Sequence, residues 1–378
     1  MNFGLSESQR ILKDNARKFF AAECPLPEVR KIMDSPHAHS EALYKKLADQ
    51  GFTGIILPEA YGGLGLGKVE MVALLEEMGR ALIPGPYFSS AILAASIINE
   101  AASETQKQHY LKPLAEGTKK ATLALVEAHG SWNPNSVQMP AINGTKLFVT
   151  DAAVADTIIV VTRHQDDLAL YAVDAKAKGV TITPMPSMDL TRPIYSVKFD
   201  NVTGELLAQG AKAASALHHG LNIAEVALAA ELTGGMQRGI EITVEYAKTR
   251  KQFGKPIGGY QAVQHQCADM YFFTEGSRSS ALYAAWALDN QAPDAEKAVA
   301  IAKMYSSDSG REVGNRSIQV HGGMGFTWEN DCHLFYRRAK ASEVMLGDAS
   351  YHRDRIATMI IDPVEVTSNT LEEAFALD

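Results

Sequence analysis

The residue types able to do chemistry are sparse, and their spacing already separates several chemistries. Cys24, Cys267 and Cys332 are too few and too scattered for a zinc site or a disulfide framework, and they fit a reducing, intracellular setting. His265, His321 and His333 lack metal-ligand spacing, so packing or helix-surface roles and no metal are expected. The run Gly62–Gly67 follows no strand–helix unit and lacks GxGxxG spacing, so it is no dinucleotide fingerprint. The basic cluster Arg337, Arg338 and Lys340 reads first as a solvated helix face and second as a surface that steers an anion or a partner. Asp348, just ahead of a helix beginning at Ala349, suits an N-cap, and Glu225 a solvated or ion-paired helix acid.

The elements that must position these residues run helical, β, helical. Residues 1–117 read as an N-terminal helical domain: Ser6 with Gln9 forms a capping box, and the helix Val69–Leu82 stops at Pro84-Gly-Pro86. Over 118–210 the texture becomes short β-rich runs, namely Ala121–Val126, Leu147–Thr150, Thr157–Thr162, Leu168–Val173, Val180–Thr183 and Tyr195–Phe199. Turn residues separate them, and Asn143-Gly144 is a hairpin signal. No helical patterns alternate with these runs, so a small antiparallel barrel or sandwich is predicted rather than a parallel Rossmann sheet. Residues 211–361 return to long helices, and 362–378 form an acidic tail. The fold class is therefore α+β and mainly helical.

Composition sets the outer limits. The chain has 378 residues, 46% hydrophobic and 21% charged, enough for a large core and for two or three domains. With 36 basic and 44 acidic residues the net charge is −8, which argues against a nucleic-acid or membrane-surface binder. The N-terminus has no signal-peptide pattern, and the uncharged stretch Ala81–Asn99 is broken by Pro84, Gly85 and Pro86, so no membrane span and a cytoplasmic protein are expected.

Six motifs in register give a resemblance. They are Leu5-Ser-Glu-Ser-Gln9, Pro58-Glu-Ala-Tyr-Gly-Gly63, Asn143-Gly-Thr-Lys-Leu-Phe-Val-Thr150, Arg250-Lys-Gln-Phe-Gly254 with Gln261, Gln319-Val-His-Gly-Gly-Met-Gly-Phe326, and Tyr336-Arg-Arg-Ala-Lys340 leading to Leu346-Gly-Asp348. Over roughly residues 3–361 the chain resembles the acyl-CoA dehydrogenase family. The resemblance implies an N-terminal helical domain, a middle antiparallel β-domain and a C-terminal four-helix bundle. It also implies FAD, an acyl-CoA substrate oxidised to the 2-enoyl-CoA, an electron-transferring flavoprotein as acceptor, and a homo- or hetero-oligomer (dimer or tetramer). Fatty-acid or steroid side-chain degradation is the implied setting.

The same resemblance assigns residues. A pyrophosphate needs a fixed guanidinium and close backbone N–H groups; Arg250 and the Gly322-Gly323 backbone match the positions that supply them to a neighbouring subunit's FAD, with Gln261, Gln319 and Phe253 beside them. At the flavin ring, Phe148 and Thr150 match, whereas Val126 replaces a hydroxyl residue within a run one residue short. Dehydrogenation needs a carboxylate near the α-carbon. The usual base position holds Leu346, and a second family position falls on Ala224, next to Glu225. Asp348 and, less directly, Glu225 are the substitutes. Three readings follow: an active dehydrogenase with a displaced base, a base-lacking partner subunit of a heteromeric bacterial acyl-CoA dehydrogenase, or an acyl-CoA-binding flavoprotein with non-oxidative chemistry.

Overall fold

The computed structural model describes residues 4–361, so the acidic tail expected at 362–378 lies outside the described residues. The N-terminal part comprises α1 (Glu7–Glu23), α2 (Leu26–Met33), α3 (Glu41–Asp49), α4 (Lys68–Ala81), α5 (Ala95–Ala101) and α6 (Glu104–Ala115). Ser6 accepts from the Gln9 amide and Gln9 returns a bond to the Ser6 N–H, the reciprocal cap expected from sequence. Helix α4 ends where Leu82 turns left-handed (φ 55°) ahead of the Pro84–Pro86 segment, and Tyr87–Ala94 then forms a wholly buried π-helical segment.

The middle strands are β1 (Ala121–Ala124), β2 (Gly144–Thr150), β3 (Thr157–His164), β4 (Asp167–Asp174), β5 (Val180–Met185), β6 (Ile194–Phe199) and β7 (Glu205–Gln209). They form two sheets, ordered β1-β3-β4-β7 and β2-β6-β5. The sandwich is as predicted, with two corrections. β1 pairs with β3 in parallel, because the chain crosses to the other sheet as β2 before returning. Asn143-Gly144 forms no hairpin: it leads into β2, whose partner is the distant β6. Strand β3 divides its alternate side chains between two cores. Ile158 and Val160 pack against Val197 and Phe199 of the second sheet, while Ile159 and Val161 belong to the core shared with the helices.

The C-terminal part is a bundle of α7 (Ala211–Thr249), α8 (Gln261–Asp289), α9 (Ala295–His321), α10 (Cys332–Val344) and α11 (Ala349–Ile360), with the small hairpin β8 (Lys251–Gln252) and β9 (Lys255–Pro256) after α7. Helices α4 and α7 touch backbone to backbone. A Cβ on Gly79 would lie 2.0 Å from the Glu231 carbonyl oxygen, and one on Gly234 would lie 1.8 Å from that of Glu76. Only glycine permits that approach. Among the described residues no helix is long and apolar enough to cross a membrane.

Candidate active site

Between the β-domain and the α10–α11 turn lies a cavity of about 580 Å³. Its β-side wall is Gly130, Ser131, Trp132, Phe148, Pro186 to Asp189, Arg192 and Ile194; its helical wall includes Lys340, Ser342, Met345, Gly347, Asp348 and Tyr351. Phe148 sits at an irregularity in the β2–β6 register with φ 55°, which turns its side chain out of the core, and it stays 37% exposed. Thr150 is buried and its hydroxyl has no partner among the described residues, although its carbonyl accepts from Thr122 at 2.6 Å. Val126 is buried, and its carbonyl accepts from the Leu147 N–H at 2.8 Å. The preceding chain is anchored by Lys146, whose ammonium donates to Glu127 at 2.7 Å and to the Leu125 carbonyl at 3.1 Å.

The helical wall ends in a tight turn. Leu346 (φ 59°) and Gly347 (φ 96°) are both left-handed, and the Tyr351 ring lies where a Gly347 side chain would go. Leu346 is buried at 2% exposure. Asp348 is exposed on the cavity and caps α11, its Oδ1 accepting from the Tyr351 N–H at 2.9 Å. Of the two roles expected for Glu225, the structure shows the ion-paired helix acid and not the solvated one. It is 4% exposed and both its oxygens accept from Arg355 Nη1, at 2.9 and 2.8 Å. Burial raises its carboxyl while Arg355 opposes the rise, and it does not line the cavity.

Beneath the β-side wall runs a buried charge network that sequence reasoning missed. Arg192 Nη2 donates to both Glu231 oxygens at 2.9 and 2.7 Å, and Arg338 Nε meets Asp189 at 2.5 Å. Burial pushes the Asp189 carboxyl up, but Arg338 and Thr191 reverse that and hold it below the usual carboxylate range. This corrects the expected solvated basic face: Arg338 is 5% exposed and points inward, because the carboxylate that neutralises it comes from the β-domain. The sequence signal was an arginine inside Leu334–Ala339, where its neighbours Phe335 and Ala339 are core residues. Among the described residues, the carboxylates on the cavity are Asp189, which is ion-paired, and the helix cap Asp348.

A second cluster forms at the C-terminal ends of α7 and α9. The Tyr246 ring stacks on His321 at 4.4 Å, and the buried His321 Nδ1 pairs with the Ser317 carbonyl at 2.7 Å. Burial lowers its imidazole below the ordinary histidine range. Arg250 follows, its N–H donating to Tyr246 at 2.8 Å, and its guanidinium has no acceptor among the described residues. Gln261, Gln319, Gly322 and Gly323 are exposed, Phe253 is 92% exposed, and both glycines face open space. None of these residues lines the cavity. The structure thus brings Phe148, Asp348 and the Leu346 turn around one cavity and groups Arg250 with Gly322 at a separate surface.

A helical domain, a β-sandwich and a helical bundle around one cavity define the acyl-CoA dehydrogenase fold. The acyl-CoA dehydrogenase N-terminal domain model matches residues 6–118 and the C-terminal domain model residues 213–361. A probable acyl-CoA dehydrogenase, YngJ of Bacillus subtilis, is 31% identical, covering 96% of this chain and all of that one. The solved ChsE4–ChsE5 complex of Mycobacterium tuberculosis is 28% identical with a TM-score of 0.87, covering 97% of this chain and 100% of that one. A steroid acyl-CoA dehydrogenase variant, Tcur3481–Tcur3483, is 30% identical with a TM-score of 0.85, covering 94% and 98%. The chain belongs to the acyl-CoA dehydrogenase family, FAD-dependent oxidoreductases acting on CH–CH bonds.

Proposed function

We propose that this chain is a subunit of a hetero-oligomeric acyl-CoA dehydrogenase: it lends its adenosine-diphosphate clamp to a neighbouring flavin, while a related chain supplies the carboxylate base. The observation that carries this reading is the cavity wall. Leu346 stands where the resemblance places the base, Asp189 is ion-paired to Arg338, and Asp348 has one oxygen held in the α11 cap. The clamp, by contrast, faces outward: the Arg250 guanidinium has no acceptor among the described residues, and Gly322 and Gly323 leave room for a phosphate. Two solved relatives whose names pair two proteins are consistent with such an assembly.

FAD, when bound, accepts the hydride from the acyl β-carbon. Phe148 on the cavity wall suits the ring, with Thr150 on the same strand behind it, and the Leu346–Gly347 turn, whose Gly347 lines the cavity, suits the thioester carbonyl. This cavity would therefore hold an acyl thioester and polarise it without removing its α-proton. At the level of the assembly the reaction is α,β-dehydrogenation of an acyl-CoA, with electrons passing to an electron-transferring flavoprotein. Anaerobic titration of the chain, alone and co-purified with related chains, with a panel of acyl-CoAs tests this. Flavin bleaching only with the partner is expected; bleaching by the chain alone overturns it.

One observation favours a second reading. Asp348 faces the cavity, and only its Oδ1 is used in the cap. Its other oxygen would then be the base of a self-sufficient dehydrogenase, and Asp348→Asn would abolish bleaching by the isolated chain.

A further inference from the structure

Lys303 lies in α9 behind the Leu346–Gly347 turn and is completely buried. Its ammonium donates to Ser307 Oγ at 2.9 Å and to three carbonyls, those of Ser342 and Glu343 at 3.2 Å and of Gly347 at 3.0 Å. The first two end α10 and the third belongs to the turn itself. The turn is also tied from α11, where His352 Nε2 pairs with the Leu346 carbonyl at 3.1 Å. With its carbonyl held from behind, the Leu346 N–H has no acceptor among the described residues, and the adjoining Gly347 lines the cavity.

We propose that Lys303 is a positioning residue for acyl-thioester activation: it fixes the turn so that the Leu346 N–H meets the thioester oxygen, and its charge sits behind that oxygen. This rests on the reading that the cavity takes an acyl thioester. Polarisation draws the carbonyl π pair toward oxygen. With an acidic ligand such as a 3-ketoacyl-CoA, whose α-proton leaves to solvent, the C–H electron pair forms the Cα=C bond and the π pair moves fully onto oxygen. A fixed positive charge behind the oxygen stabilises that enolate.

The groups facing Lys303 set its working range. Glu225 of α7, Glu343 of α10 and Asp348 of the turn are acidic; Arg355 and the neutral His352 of α11 lie beyond. Burial outweighs the acids and brings the ammonium down to about 8. The charge is present below that pH and lost above it.

The test uses the purified flavoprotein with any partner chain it carries. Acetoacetyl-CoA, which forms an enolate with a strong ultraviolet band, is titrated with pH in the wild type, Lys303→Met and Lys303→Arg. Lys303→Met should raise the enolisation midpoint of the bound ligand by about one pH unit, a tenfold loss. Affinity for butyryl-CoA should change less than about threefold, and Lys303→Arg should recover part of the loss. An unmoved midpoint, or affinity for butyryl-CoA falling in parallel, overturns the proposal. If Lys303→Met does not fold, the carbonyl stretch of bound 13C-labelled butyryl-CoA in the wild type decides. It should lie below the solution value at pH 7 and return toward it above pH 8; a pH-independent stretch overturns the proposal. Binding of no acyl-CoA at all sinks the acyl-CoA reading itself.

Discussion

His352 Nε2 donates to the carbonyl of Leu346 across 3.1 Å, and its Nδ1 accepts from Arg355 at 3.2 Å. These two bonds leave the imidazole neutral and join the Leu346 turn to the pair of Arg355 with the buried Glu225. The Leu346–Gly347 turn is thus held from behind by two helices.

That rigidity makes gain of function the sharpest prediction. Leu346→Glu should place a carboxylate in a site whose carbonyl-binding groups are already in place. Flavin reduction by an acyl-CoA should appear or rise at least tenfold in stopped-flow measurements. No gain, with flavin and ligand both demonstrably bound, would show that the Leu346 side chain does not reach the α-carbon.

The histidine predicts a pH dependence of stability. Burial first, then Lys303 and Arg355, depress His352 from 6.5 to about 3. Between those values the unfolded chain takes a proton that the folded chain refuses, so its contribution is complete above pH 6.5 and lost as pH falls. Urea denaturation should show stability dropping below pH 6.5 by up to about 1.4 kcal/mol per unit. His352→Gln should remove that component.

Arg250→Ala should weaken flavin retention about 10- to 100-fold, the loss of a charge-assisted contact, while the circular dichroism spectrum is unchanged. Ultrafiltration of the assembly followed by flavin absorbance reads the loss. Retention equal to wild type would place the phosphates elsewhere.

Removing one partner of a buried ion pair leaves the other charge unpaired. Arg192→Met should therefore cost about 3–5 kcal/mol in chemical denaturation, because Glu231 stays buried. A change below about 1 kcal/mol would mean that water, or Arg338 whose Nη1 lies 4.0 Å away, takes over Glu231.

Gly234→Ala should destabilise the protein by about 1–3 kcal/mol or more, since its Cβ would collide with the Glu76 backbone. Gly235→Ala is the control: its nearest neighbour is 3.8 Å away, and no comparable loss is expected in thermal melts.

Much of the fold was legible because local rules and tertiary context agree. The Ser6–Gln9 box, the stop after α4 and most of the strands follow from capping, proline and β-branched runs. Strand β7 was missed because Glu205–Gln209 is short and pairs at a sheet edge, and the false hairpin at Asn143-Gly144 arose because turn chemistry says nothing about the partner strand. Within the site, Asp348 was legible as a cap because capping is local. The inward Arg338 and buried Glu225 were not, because their partners lie 149 and 130 residues away in sequence. Lys303 left a trace, a charge directly after the apolar run Ala298–Ala302, but most of its acceptors are carbonyls, which no sequence pattern displays.

The alternation along β3 reaches beyond packing. With Ile158 facing the core between the two sheets and Ile159 the core shared with the helices, one face of the first sheet is covered only by helices. Shifts in composition mark where the chain changes texture, yet they do not mark where it can be cut. An excised middle segment would expose a full apolar sheet face and aggregate, and the intact protein should lose its strands and helices in one cooperative melt.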